Sequence, residues 1–214
     1  MNETISYEKV CSGFAAILDH LQKNRQALND LDSPIGDSDH GESVTGAFQK
    51  VQVAVDAFPK DQRDIGALLQ AVGKSIILSG GAAMGPLYGT AFLDAGKAVL
   101  GKGDLAPEDL VHLWEGFAAG IQRRGQVKLN EKTMYDTIYP TAEALKHSFS
   151  EGKPLPEMIQ DAIQAAKKGM ESTKDMLSLR GRSSRLGERS IGHIDPGSAS
   201  SYLIIEAFFS HLLP

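Results

Sequence analysis

Apolar residues recur along this chain at steps of three and four, the spacing that places side chains on one face of a helix. Val10, Phe14, Ile17, Leu18 and Leu21 form the first stripe. Val44, Phe48, Val51, Val55 and Phe58 form the second, and Leu68, Leu69, Val72 and Ile76 the third. Leu87, Ala91, Ala95 and Val99 make a fourth face with small residues, which permits close approach of a neighbouring helix. Pro107 reads as a first-turn proline ahead of Leu110, Trp114, Phe117 and Ile121. A sixth helix is predicted over residues 133–149, with a kink or shifted start at Pro140. A seventh begins near Pro156 and runs through Ile159, Ile163, Ala166 and Met170. An eighth follows Asp195-Pro196-Gly197 and includes Tyr202, Leu203, Ile205, Phe208 and Phe209. Alternation of period two is confined to 75–78 and 203–205, both inside stronger helical patterns. The pattern predicts an all-α bundle of eight helices, one domain over residues 1–214, with the unusual residues on its connections.

Composition removes several function classes. Hydrophobic residues make up 42% and charged residues 23%, as in a folded globular chain. Lys+Arg 22 against Asp+Glu 27 gives a net charge of −5, so a broad nucleic-acid surface is not expected. The single cysteine, Cys11, excludes an internal disulfide framework and a cysteine-based zinc cluster. The opening residues lack the basic-then-apolar order of a signal peptide, and no run reaches the roughly 20 apolar residues that cross a bilayer. A soluble, cytoplasmic protein with no membrane partner is expected. The glycosylation match at Asn2-Glu3-Thr4 carries no meaning in that compartment.

The segment from Leu31 to Gly41 carries the strongest chemical signal. Pro34, Gly36 and Gly41 break regular helix and put Asp32, Asp37 and Asp39 on a bent loop between the first two helices. Three carboxylates held together repel one another unless a cation sits among them, and all-oxygen ligation suits hard ions such as Mg²⁺, Mn²⁺ or Ca²⁺. An EF-hand fails, because its last acidic ligand would fall on Phe48. Mg²⁺ takes a few carboxylates together with waters or phosphates, which suits a site open to a phosphorylated ligand. The competing reading is an Asp-rich turn that caps the second helix.

Two further segments bear on anion binding. The run from Ser79 to Pro86 is rich in small residues and leads into the fourth helix, so its backbone N–H groups can approach an anion. Gly73-Lys74-Ser75 imitates the tail of a P-loop, but Leu68 stands where the first glycine is required. Arg180, Arg182, Arg185 and Arg189 gather just before Gly192-His193 and Asp195-Pro196-Gly197, and guanidinium groups can clamp phosphate. A solvated basic loop is the alternative.

Ile35-Gly36-Asp37-Ser38-Asp39-His40-Gly41, Gly85-Pro86-Leu87-Tyr88-Gly89-Thr90 and the arginine-rich segment through Asp195-Pro196-Gly197 occur in one order. With these motifs the chain resembles the nucleotide-binding L subunits of bacterial dihydroxyacetone kinases over nearly its whole length. The resemblance implies an eight-helix antiparallel up-and-down barrel with the nucleotide at one end. It implies that Asp32, Asp37 and Asp39 hold two Mg²⁺ ions that bridge the phosphates of ADP, or of ATP when phosphorylated. It places His40, Gly41, Glu42 and Ser43, with Ala83 and Met84, against those phosphates. Gly125 and Met134 fall at the adenine pocket, and Arg182 with Asp195, Pro196 and Gly197 closes over the nucleotide. Arg182 is the expected catalytic residue, stabilising charge on the transferred phosphoryl group. The implied partners are a ketose-binding K subunit, a phosphohistidine-carrying phosphotransferase protein and a transcriptional regulator.

The alternatives are an ATP-dependent subunit for a related ketose and a regulatory module that reports its nucleotide state. A fatty-acid-kinase-like L domain would carry threonine in place of His40 and a further C-terminal domain. Covalent phosphorylation of His40 or His193 has no support beyond the presence of those residues. Two positions depart from the family pattern: Ser43 stands where asparagine is common, and Met84 where serine precedes the Gly-Pro. They suggest a paralogous branch.

Overall fold

Each apolar stripe is the buried face of a helix in the computed structural model, which describes residues 4–78 and 84–213. The helices are α1 (Tyr7–Asp32), α2 (His40–Ala57), α3 (Ile65–Leu78), α4 (Met84–Ala98), α5 (Pro107–Gly125), α6 (Tyr135–Ser150), α7 (Leu155–Ser172) and α8 (Pro196–Leu212). Two 3₁₀ stretches, Thr173–Asp175 and Ser183–Ser190, lie between α7 and α8. Residues 75–78 and 203–205 are helical. Pairing of strand type among the described residues is an isolated bridge between Ile5 and Leu105.

Glycines set the spacing and direction of neighbouring helices. A Cβ at Gly66 would lie 2.5 Å from the Gly96 carbonyl and one at Gly96 the same distance from the Gly66 carbonyl. Gly73 and Gly89 form a second reciprocal pair, at 2.7 and 2.9 Å. Position 66 therefore faces 96 and 73 faces 89, so α3 and α4 run antiparallel with their backbones in contact. Gly116 faces Asp94 and Gly120 faces Ala91, which makes α4 and α5 antiparallel as well. Lys9 Nζ donates to the Leu212 carbonyl (2.7 Å) and Gly13 packs on Phe208, so α1 and α8 are antiparallel too. Each helix packs on its neighbours in sequence and α8 packs on α1, so the eight close a ring. Its interior is aromatic: Phe14, Phe48, Tyr88, Phe92, Trp114, Phe117, Phe208 and Phe209 meet in edge-on or tilted pairs at 5.1–6.4 Å.

Two boundaries differ from the sequence prediction. Asp32 is the last residue of α1 instead of a loop residue, because Ser33 still donates to the Asn29 carbonyl and keeps helical dihedrals. α6 starts at Tyr135 and runs on through Pro140. Pro140 cannot donate to the Asp136 carbonyl, and α7 brings Gly169 against that oxygen, where any Cβ would overlap it.

In a ring of successive antiparallel helices, alternate connections share an end. The α1–α2, α3–α4, α5–α6 and α7–α8 connections are one such set. These are the connections on which the sequence concentrates its acidic, glycine-rich and arginine-rich segments.

Candidate functional site

The acidic corner is built by the end of α1. The Asp32 carbonyl accepts N–H groups from Ile35 (3.0 Å) and Gly36 (2.6 Å), folding the chain back over the helix terminus. Its carboxylate accepts the Asp39 N–H at 3.2 Å, and the residue is only 8% exposed. Gly36 makes the fold-back possible, since a Cβ there would lie 2.6 Å from Asp32 Cγ. Ser38 takes a left-handed φ of 63° to complete the bend. One carboxylate oxygen from each of Asp32, Asp37 and Asp39 then lies within 4.8 Å of the other two. Like charges at that separation destabilise one another in the absence of a cation. The Arg182 guanidinium, arriving from the α7–α8 connection, pairs with Asp37.

α2 begins against this corner. The Gly41 N–H donates to Asn29 Oδ1 (2.7 Å), and a Cβ at Gly41 would overlap the Arg25 carbonyl. Gly41 is thus buried against α1 and does not line the cavity, unlike its neighbours His40, Glu42 and Ser43. His40 Nε2 lies 2.9 Å from Ser200 Oγ of α8. Burial holds the imidazole below its ordinary pKa, against the opposing pull of Asp32. A neutral, hydrogen-bonded ring follows.

A cavity of about 1020 Å³ opens between these elements. Asp32, Asp37, Asp39 and Arg182 line it together with Met84, Gly125, Met134, Asp195, Pro196 and Gly197. Gly125 meets Leu87 and Val127, so that part of the wall is apolar and narrow, with 3.2 Å from a Cβ at Gly125 to either side chain. Gly197 lies beside Asp195 and Met134. Asp195 caps α8, its carboxylate accepting the Ser198 N–H at 2.7 Å, and burial pushes its carboxyl up to about 6. Arg180 also lines the cavity, but its guanidinium is held by Glu131. Arg185 and Arg189 do not line it. Ala83 lies outside the described residues.

Several lining residues were not singled out from the sequence. Lys132, 1% exposed, donates from Nζ to the carbonyls of Thr173 and His193. Lys50, Arg124 and Thr133 add further polar groups. One signal for this wall was present: Thr133-Met134-Tyr135-Asp136 has the spacing of a capping box, and Asp136 accepts the Thr133 N–H at 2.8 Å. Nothing in the sequence marks Lys132 as buried.

Residues 34–210 match the DAK2 domain. The chain belongs to the DAK2 domain family. It is 36% identical over 192 residues to the ADP-binding subunit of PEP-dependent dihydroxyacetone kinase 2 of Listeria innocua, covering 90% of this chain and 88% of that one. It is 35% identical over 188 residues to the corresponding ADP-binding subunit of Escherichia coli K12, covering 88% and 89%. Among solved structures, the dihydroxyacetone kinase of C. freundii in complex with AMP-PNP and Mg²⁺ superposes with a TM-score of 0.71 at 22% identity. That match covers 98% of this DAK2 chain but 35% of the longer kinase, and it supports the all-α fold. The relatives are kinases, and the chain is a phosphotransferase of the kind that acts on an alcohol group. No helix among the described residues is long and apolar enough to cross a membrane.

Proposed function

We propose that this chain is the nucleotide-binding subunit of a dihydroxyacetone or similar short-ketose kinase. It keeps ADP as a cofactor, accepts phosphoryl from a phosphohistidine-bearing protein, and passes it to a ketose held on a separate subunit. The observation that carries this reading is the single cavity on which the acidic corner, Arg182 and the apolar wall at Gly125 converge. At about 1020 Å³ it has room for a nucleoside diphosphate. The separate-subunit arrangement is supported by likeness to the Listeria and E. coli proteins, which are themselves ADP-binding subunits.

The donor set fits magnesium. Three carboxylates converge with no softer ligand beside them, and Mg²⁺ prefers such oxygens together with phosphate. Asp32, Asp37 and Asp39 would hold two such ions, whose chemistry is to neutralise phosphate charge. The chain's own residues do the rest. Arg182, paired with Asp37 beside the acidic corner, stands where it can meet the charge that develops on the transferred group. His40, neutral and tied to Ser200, offers a hydrogen bond and not a nucleophile. Glu42, Ser43 and Met84 would face the phosphates and Gly125 with Met134 the base, all five being residues of the cavity wall. Asp195, Pro196 and Gly197 form the wall that closes the site. The acceptor hydroxyl is bound by the partner, so the isolated chain should turn over no ketose. A cytoplasmic location goes with this role.

Asp37→Ala tests the reading. It removes a carboxylate from the corner and the partner of Arg182, so calorimetry should show Mg²⁺-dependent ADP binding abolished. Binding at wild-type strength would refute the metal assignment.

A further inference from the structure

The α5–α6 connection is held in an unfavourable backbone conformation. Gln126 (φ 50°), Asn130 (φ 66°) and Lys132 (φ 59°) are all left-handed, although none is glycine. Such residues persist only where their surroundings hold them, and they concentrate at functional sites. Asp136, itself buried, supplies part of that hold by accepting the Asn130 and Thr133 N–H groups.

The strained backbone delivers two consecutive side chains to the α7–α8 segment. Glu131 grips its middle: the carboxylate accepts Arg180 Nε at 2.9 Å and Nη2 at 3.3 Å, and the carbonyl accepts the Leu179 N–H at 3.2 Å. Lys132 grips both ends, donating to the carbonyl of Thr173, just past α7, and of His193, just before the cap of α8. The first is a favourable place for a cation, where helix carbonyls lack partners. The segment between these ties carries Arg182, and Lys132 and Arg182 line the same cavity. Burying an ammonium is costly, and a methionine would fill the same space without that cost. Core filling alone therefore does not account for lysine here.

We propose that Lys132 is a positioning residue: it fixes the two ends of the α7–α8 segment and so holds Arg182 over the nucleotide cavity. The proposal rests on the nucleotide-binding reading above. Its test compares wild type, Lys132→Met and Lys132→Arg by limited trypsin digestion and by calorimetry with Mg²⁺ and ADP. Lys132→Met should be cut at least tenfold faster at Arg180–Arg189, with no change at Lys60 and Arg63 at the far end of the ring. Its dissociation constant for ADP should rise at least tenfold, and Lys132→Arg, which keeps charge and donors, should recover part of both losses. Unchanged cutting and affinity would overturn the proposal. So would a uniform rise at both ends, which marks loss of the fold as a whole.

Should Lys132→Met fail to fold, hydrogen exchange on the wild type decides. The Gly192 and Asp195 amides, bonded to the Lys174 carbonyl and Thr173 Oγ1, should exchange at least tenfold slower than exposed amides of the same segment. Exchange at free-chain rates would overturn the proposal. A wild type that binds no ADP would instead defeat the functional reading, while the digestion still decides whether Lys132 fixes the segment.

Discussion

Two glycines five residues apart, Gly36 and Gly41, face neighbours of opposite kinds, and that difference separates metal binding from folding. A Cβ at Gly36 would lie 2.6 Å from Asp32 Cγ, whereas ordinary contact begins at 3.4 Å. The carboxyl carbon must therefore retreat by about 0.8 Å, and Oδ1, which the Cβ would overlap, by more. Asp32 can do so by rotating its side chain, at the expense of its bond from the Asp39 N–H. Gly36→Ala should then lower stability by only about 1 kcal/mol, the worth of one hydrogen bond. It displaces one of three converging carboxylates, however, and loss of a contact to a charged group is worth about 1.5–3 kcal/mol. ADP binding in Mg²⁺ should weaken roughly 10- to 150-fold. A Cβ at Gly41 meets backbone instead, overlapping the Arg25 carbonyl with its carbon 2.9 Å away. Relief there requires α2 to move off α1, and Gly41→Ala should lower stability by about 2–4 kcal/mol. Thermal melts and calorimetry on the two variants check the contrast. A Gly36→Ala chain that binds ADP in Mg²⁺ at full strength would refute Asp32 as a ligand.

Other variants probe the remaining walls. Burial raises the Asp195 carboxyl from 3.8 to about 6, so this group adds stability below its ordinary value and loses it as pH climbs through 6. Asp195→Asn keeps an oxygen for the Ser198 N–H. It should raise stability by about 1–3 kcal/mol well above pH 6 and by nothing below 3.8, read from melts across pH. A lower melting point at pH 8 would show that the ionised carboxylate is stabilising. Met84 lines the cavity without a donor in its side chain, so Met84→Ser should tighten ADP binding about tenfold through a hydroxyl–phosphate bond. Unchanged affinity would place the phosphates elsewhere.

The helices were legible because burial imposes their period directly: Val10, Phe14, Ile17 and Leu21 are all nearly inaccessible in α1, as their spacing requires. Proline was a weaker guide. Pro140 predicted a kink or shifted start; α6 runs through it from Tyr135, and the carbonyl it frees is met by Gly169 of α7, a tertiary contact that no local pattern encodes. Helix ends were similarly obscure, and Asp32 proved to be the last residue of α1.

In the candidate site, motifs with unusual backbone demands were readable. Asp32, Asp37 and Asp39 announce themselves as carboxylates framed by Pro34, Gly36 and Gly41, residues that break helix. The four arginines did not sort themselves in the same way. Arg182 meets Asp37 and Arg180 is held on Glu131, while Arg185 and Arg189 lie off the cavity. Their roles depend on which connection lies opposite, and that is set by closure of the ring. Lys132 was illegible for the same reason, since its partners are backbone carbonyls 41 and 61 residues away.

The chain is proposed to hold a magnesium nucleotide in the cavity lined by the acidic corner, Met84, Gly125 and Arg182. Native mass spectrometry of the freshly purified protein, with the nucleotide identified after acid release, tests it most directly. The expected result is near-stoichiometric ADP with two Mg²⁺ ions, lost together in Asp37→Ala. A chain that carries no nucleotide and takes up neither ADP nor ATP when they are added with Mg²⁺ would contradict it.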